Sequence, residues 1–362
     1  MTILHLADGP RYWAARALRW PPPPPLSLTL SVTWRCNCRC LTCHVDEREA
    51  DELSVSEYER FFEQLGRRLQ WATLSGGEPS LRDDLPDIVE ALASRAAPRV
   101  ITLATNGTLC DRLPAQVEAM AVHFSGPLVV NLSFDAVGDE HDRLRGLDGA
   151  WQRALQSYRA LKDLQRHRSN LVVGIHTVIS THNVERFPTI CDALLALEPD
   201  SYITEIAEHR AELRTEQLDI VPSVEAYQRA IAHLERRLAT RRLTGAARLV
   251  QALRTQYYRH VVQTLRHPRE RLPCYAGILG AQLTPDGKLW DCCIRARELG
   301  DLRAAGGSFH SVWTSPQAQS VRREIRRTRC HCTLANAAYT NMLASGPALA
   351  RIGLDLLRRP AR

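Results

Sequence analysis

The chain has 362 residues, 44% hydrophobic and 24% charged, the make-up of a globular protein with room for one large domain or two ordinary ones. Its formal net charge of +7 favours anionic partners without separating nucleic acid from a phosphorylated metabolite or a membrane surface. No apolar run reaches membrane-span length, and the N-terminus lacks a secretory signal, so the expected compartment is the cytoplasm; 11 cysteines there read as metal ligands or reactive thiols rather than a disulfide framework.

The first 25 residues form an N-terminal segment that ends in Pro21 to Pro25, a stiff extended spacer. "LSLTLSVTW" then alternates as a strand does. It runs directly into "RCNCRCLTC", where Cys36, Cys40 and Cys43 stand in C-x3-C-x2-C spacing and Cys38 is an extra thiol inside the loop. Zinc usually takes two C-x2-C halves or a Cys/His pair, and His44 is poorly placed to share a metal with the adjacent Cys43. Three thiolates without a close fourth suit an iron–sulfur cubane with one iron left open. The loop is expected at the C-terminal end of the first strand, where α/β folds carry their chemistry.

"ATLSGGEPSL" follows, with Gly76, Gly77, Glu78 and Pro79 after an apolar strand. Apolar strands then alternate with helical stretches: "RVITLAT" with "RLPAQVEAMAVHF", "LVVNLSFD" with "WQRALQSYRALKDL", "LVVGIHTVIS" with "FPTICDALLAL", and finally "SYITEIAE". About six β/α units result, which predicts parallel strands with outer helices over residues 26–220.

Together, C-x3-C-x2-C and a GGEP segment some thirty residues later resemble the radical S-adenosylmethionine (radical SAM) enzymes. The resemblance implies an α/β fold, a partial (β/α)6 TIM barrel. It also implies a [4Fe-4S] cluster on Cys36, Cys40 and Cys43 whose open iron is chelated by SAM. Gly76, Gly77, Glu78 and Pro79 match the segment that binds the methionine amino group. Ser133 and Asp135 match a position near the SAM ribose, Asn106 ends the third strand, and Arg145 in "EHDRLRG" is a partner for the SAM carboxylate. Asn106-Gly107 also reads as an ordinary turn, and Asp135 as a helix cap. At the end of the sixth strand, Glu205 and Arg210 are candidates for a base or a substrate-orienting charge, against a solvated charge run. His176, His182, Cys191 and Cys110 read as structural or inert.

Residues 221–272 read as bridging helices, with Leu249, Leu253, Tyr257, Val261 and Leu265 in a stripe and arginines opposite. Without spaced aromatics they carry no strong nucleic-acid signal. Residues 273–340 hold a second thiol set: Cys274, a "TPDG" hairpin ending in Gly287, Cys292, Cys293, then Cys330 and Cys332 in "RCHC". Cys274-x12-Gly287-x4-Cys292 resembles the opening of the family's cysteine-rich auxiliary extension, called SPASM when it holds two clusters and twitch when it holds one. Five thiols cannot easily hold two clusters, so the expectation is one auxiliary [4Fe-4S] cluster on Cys274, Cys292, Cys330 and Cys332, with Cys293 or Asn336 as complications. A zinc knuckle is the alternative. Residues 341–362 form a basic amphipathic helix for docking on the protein or for membrane contact.

The resemblance implies reductive cleavage of SAM to a 5′-deoxyadenosyl radical, hydrogen abstraction from a substrate C–H bond, and a ferredoxin or flavodoxin reductant. An auxiliary cluster suits a dehydrogenase-like oxidoreductase. Only 35 residues precede Cys36, which favours a small sugar- or aminocyclitol-like substrate over a leader-bearing peptide. The rivals are a peptide maturase with a separate recognition protein, and a non-catalytic iron–sulfur or zinc protein that binds nucleic acid.

Overall fold

The structure, a computed structural model, describes residues 9–18, 20–239 and 245–358. Parts of the N-terminal segment, of the bridge between the two long helices and of the basic tail therefore lie outside the described residues. After α1 (Gly9–Leu18), six strands alternate with helices. They are β1 (Ser27–Thr33), α2 (Val55–Leu65), β2 (Trp71–Gly76), α3 (Leu85–Ala91), β3 (Val100–Thr105), α4 (Leu113–His123) and β4 (Leu128–Ser133). Then come α5 (Asp139–Arg145), α6 (Ala150–Gln165), β5 (Leu171–Ile179), α7 (Phe187–Leu195) and β6 (Ser201–Ile206). The bridging helices are α8 (Val224–Ala239) and α9 (Gly245–Arg266). The C-terminal part holds β7 (Gly280–Leu283), β8 (Lys288–Trp290), β9 (Glu298–Asp301), α10 (Phe309–Trp313), α11 (Pro316–Arg327), α12 (Ala335–Leu343) and α13 (Gly346–Arg358).

All strands join one nine-stranded sheet in the order β6-β5-β4-β3-β2-β1-β7-β8-β9. Neighbours from β1 to β6 pair in parallel, as the alternating strand–helix pattern predicts. β7 adds to the other side of β1, also in parallel, and turns through Thr284–Lys288 into the predicted antiparallel hairpin. Gly287 closes that turn at φ +88°, a conformation glycine reaches without a Cβ clash. β1 is thus an interior strand whose side chains are buried on both faces except Thr29. The alternation in "LSLTLSVTW" therefore does not mark a solvent face, because helices cover one side and the barrel interior lies on the other.

Local chemistry sets the helix ends. Ser54 and Glu57 form a capping box that starts α2, and Gly66 ends it at φ +61°. Tyr58, Phe61, Phe62 and Leu65 face the core from this helix. The proline spacer is fastened along its middle: Trp313 Nε1 donates to the Pro22 and Pro23 carbonyls, and Tyr12 Oη to that of Pro24. In α9, Tyr257, Tyr258 and Val261 are fully buried. The tail helix α13 docks on α9 by burying Ala348 and Ile352 and through Asp355, which accepts from Gln256 and Arg259. No helix among the described residues is long and apolar enough to cross a membrane.

Candidate active site

The cysteine loop leaves the C-terminal end of β1 and is held by backbone contacts on two sides. On one side the glycines of "GGEP" lie against its start: Gly77 N donates to Thr33 O (2.7 Å) and Glu78 N to Arg35 O (2.8 Å). A Cβ on Gly77 would meet Arg35 O at 2.1 Å, and one on Gly76 would meet Thr33 O at 2.2 Å. On the other side Arg39 N donates to Arg145 O and Leu41 N to Leu144 O, at the C-terminus of α5. Gly146 makes this approach possible, since a Cβ there would lie 2.2 Å from Arg39 O. Cys36, Cys40 and Cys43 are partly exposed, whereas Cys38 is 2% exposed.

The Cys38 thiol hydrogen-bonds to Cys36 and Cys40, contacts that push its pKa far up. The same bond to Cys38 draws the Cys40 thiol down to about 7 against its burial, with help from Arg145. Among the described residues, no three ligand atoms of either thiol set lie within 4.8 Å of one another. A single zinc ion at Zn–S distances of about 2.3 Å gathers sulfurs more closely than that. Cysteine thiolates are the donors that hold iron–sulfur clusters as well as zinc.

Glu78 is 1% exposed and spends both oxygens on the protein. Oε1 accepts from Ser80 and Thr105, and Oε2 from the Asn106 backbone N–H (2.7 Å). Burial raises its pKa against these bonds. Pro79, also buried, opens the turn that follows. Asn106 Nδ2 donates to Asn37 Oδ1 in the cysteine loop, and Asn37 donates in turn to Thr108 Oγ1, both at 2.8 Å. Ser133 ends β4 opposite His176 of β5. Asp135 accepts from Val178 N (2.8 Å) and pairs with Arg145, whose other terminal nitrogen approaches Cys40 Sγ at 3.9 Å. Arg145 Nε is buried with no hydrogen-bond partner, a free donor beside the thiols.

At the end of β6, Arg210 bridges Glu205 (3.1 Å) and Glu208 (3.3 Å), and His176 Nε2 lies 3.7 Å from Glu205. Glu208 also accepts from Thr333 N, one residue past Cys332. The following segment joins the two thiol sets. His44 N donates to Leu213 O, Glu212 N to Cys293 O and Ala211 N to Ile294 O. The buried Glu212 carboxylate accepts from Ser31 of β1 and Gln282 of β7.

In the second set, Cys274 and Cys330 are hydrogen-bonded to each other and Cys292 and Cys332 are their electrostatic neighbours. The bond from Cys274 draws Cys330 down to about 6, with Arg297 helping against burial. Cys293 is raised by burial and has Arg210, Glu212 and Glu208 as neighbours, on the barrel side.

Sequence reasoning missed several of these residues. Trp34 and Trp290 stack with centroids 6.0 Å apart, and Arg48 lies over both rings, so each thiol set is joined to the other two residues before its Cys36 or Cys292. Ser31 and Gln282 were visible only as polar side chains inside apolar strands. Asn37 and Glu212 carry no pattern that separates them from ordinary loop residues, and His141 was passed over inside "EHDRLRG".

Residues 30–194 match the radical SAM superfamily. The chain is 33% identical over 158 residues to the pre-heme d1 synthase of Dinoroseobacter shibae, spanning 42% of this chain and only 36% of that protein. It is 30% identical over 273 residues to a probable GTP 3′,8-cyclase of Methanothermobacter thermautotrophicus, spanning 74% of this chain and 83% of that protein. The fold is similar to that of Streptococcus suis SuiB, solved with S-adenosylmethionine, with a TM-score of 0.61 and 15% identity over 82% of this chain and 68% of that one. SuiB has also been solved with its precursor peptide SuiA, and that likeness has a TM-score of 0.59 and 14% identity over 82% of this chain and 66% of that one. With its thiol loop, glycine segment and parallel strands, the chain belongs to the radical SAM superfamily, whose members use a [4Fe-4S] cluster and SAM.

Proposed function

We propose that this protein cleaves SAM reductively at a [4Fe-4S] cluster held by Cys36, Cys40 and Cys43 and abstracts hydrogen from a substrate held beside Glu205 and Arg210. The reading rests on one observation: the segment from Glu208 to Leu213 is hydrogen-bonded to both thiol loops, so its charged side chains lie between them. When bound, the cluster and SAM supply a hydrogen-abstracting 5′-deoxyadenosyl radical. The chain's own residues bind and orient. Arg145, fixed by Asp135 and with Nε free, meets the SAM carboxylate. Arg210 offers its planar fork to an oxygen-rich substrate, and Glu205 is the group near it that accepts a proton. Cys274, Cys292, Cys330 and Cys332 hold one auxiliary [4Fe-4S] cluster, which suits removal of a second electron and a dehydrogenase-like outcome. Cys293, turned to Arg210, stands outside that set.

A small sugar- or aminocyclitol-like molecule fits this polar trio. A peptide is the second reading, favoured by the fold shared with SuiB, which has been solved with its precursor peptide. Reconstituted, dithionite-reduced protein is expected to form 5′-deoxyadenosine from SAM, and the triple change Cys36→Ala, Cys40→Ala, Cys43→Ala to abolish it. Cleavage surviving in that variant would sink the assignment. The same variant is expected to keep about four irons in the second set, where zinc in their place would point to a structural knuckle.

A further inference from the structure

A cavity of about 900 Å³ opens on the outer side of the second thiol set. Five chain segments surround it: one face of α9, residues 268–272, residues 328–331, Met342 of α12, and α13. The segment from Cys330 to Thr333 separates it from the charged trio. His260 in the cavity wall bonds the Cys332 carbonyl (3.2 Å), while the Thr333 N–H turns the other way to Glu208.

Five arginines line the cavity (Arg259, Arg269, Arg271, Arg329 and Arg351) against two carboxylates, Glu270 and Asp355. Both carboxylates are already paired: Glu270 with Arg16 at 2.9 Å, and Asp355 with Arg259 at 2.8 Å. Among the described residues, the other four arginines have no ion-pair partner. Arg271 Nε is in addition a buried donor with nothing to bond. The thiolates do not account for this charge, since Arg297 is the guanidinium that bonds Cys330. Arg329 is odd in a second way. It follows the C-cap of α11 at φ +47°, where glycine is the favoured residue, and that strained backbone carries an arginine to the cavity wall.

We propose that this cavity binds an organic polyanion of roughly nucleotide size whose charge is carried by phosphate groups. The concavity and volume are those of a small-molecule pocket rather than a flat protein-docking patch. Arg269, Arg329 and Arg351 are exposed and Arg271 is half-buried, so these four guanidiniums are free to meet several negative charges on one compact ligand. Each phosphate supplies about 1.5 to 2 at neutral pH, so two phosphates match the site where a dicarboxylate falls short. Arginine forks pair with phosphate oxygens two at a time.

The test is calorimetric titration of the anaerobically reconstituted protein with inorganic pyrophosphate at low ionic strength. One pyrophosphate is expected to bind per chain. Arg271→Gln and the exposed Arg351→Gln are each expected to weaken it about tenfold. Arg229→Gln on α8, which removes a surface pair with Glu185, should leave affinity unchanged. Substrate-free SAM cleavage should be the same in all three variants, which keeps this result separate from the catalytic assignment. Two outcomes overturn the proposal: equal pyrophosphate affinity in the parent, Arg271→Gln and Arg351→Gln, or capture of a polyglutamate peptide through these arginines with no pyrophosphate binding.

Discussion

Arg145 Nη2 lies 2.8 Å from Asp135 Oδ2, and the two side chains are only 11% and 9% exposed. A buried pair of this kind is costly to break, because one partner is left as an uncompensated charge. Burial lowers and Asp135 raises the Arg145 pKa, and the net shift is upward, so the arginine stays charged. Asp135→Asn is expected to lower folding stability by about 3 kcal/mol, measured by urea denaturation. Arg145→Lys keeps the charge but loses the fork that reaches Asp135 and Cys40 together. It is expected to raise the KM for SAM about tenfold in the 5′-deoxyadenosine assay. An unchanged KM would remove Arg145 from the SAM site.

The glycines around the thiol loop separate space from conformation. Gly77→Ala and Gly146→Ala would each put a methyl group about 2 Å from a loop carbonyl, on Arg35 and Arg39 respectively. Backbone must move, and the loop carries the ligands. Each variant is expected to lose the first cluster, seen as about four irons fewer per chain, while the second set keeps its iron. Gly138→Ala is the control: its φ is also positive, at +63°, but no atom lies within 4 Å of the added methyl. It should keep full iron at a cost of about 1–3 kcal/mol, because φ +63° with ψ −145° is backbone that residues other than glycine rarely adopt. Full iron in Gly77→Ala would show that the loop does not depend on this approach.

The parallel sheet was legible because its signal is local. Each apolar run such as "LVVNLS" is followed by a helical stretch, and a parallel crossover has few solutions. The first thiol loop was legible for the same reason, since its spacing is contiguous. What joins the two thiol sets was not. Glu212 meets Ser31 and Gln282 from 181 and 70 residues away, and Trp34 after β1 stacks on Trp290 of β8, close in space but far apart in the chain. Nothing near Glu212 in the chain separates it from the charged residues of "EHRAELRTE". The role of Glu78 was hidden differently: the motif pointed to it, but only the fold shows its carboxylate tied to Ser80, Thr105 and Asn106.

Cys38 and Cys293 test the ligand sets from opposite sides. The bonds to Cys36 and Cys40 push the Cys38 pKa far up, so its single S–H donates to one of those sulfurs. A serine hydroxyl can donate in its place. Cys38→Ser is therefore expected to keep the first cluster and most SAM cleavage. Loss of about four irons in that variant would make Cys38 a ligand. Cys293 is turned toward Arg210, so Cys293→Ser is expected to leave both iron content and substrate-free SAM cleavage intact. Mössbauer spectra showing an altered second cluster would place Cys293 in its ligand set.

His141 predicts a pH dependence whose sign is fixed. It is fully buried between Phe134 and Trp151, its Nδ1 accepts from the Asp135 N–H, and its Nε2 has no partner. Burial, and then the nearby Arg145 charge, pull its pKa from 6.5 down to about 3. The folded protein therefore keeps it neutral. The unfolded chain takes up a proton below about pH 6.5, so stability is full above that pH and is lost as pH falls toward 3. Between pH 6.5 and 5 the loss from this residue is about 2 kcal/mol. His141→Phe keeps the ring in its aromatic cluster and removes the titration. It orphans the Asp135 N–H, so the variant should be less stable at pH 7.5 by about 1–3 kcal/mol. Its stability should nevertheless fall less steeply below pH 6.5 than that of the parent. Urea denaturation of both proteins at pH 7.5, 6.5, 5.5 and 5 measures the two slopes, and other titrating groups cancel in their difference. Parallel curves would mean that His141 takes up its proton in the folded state.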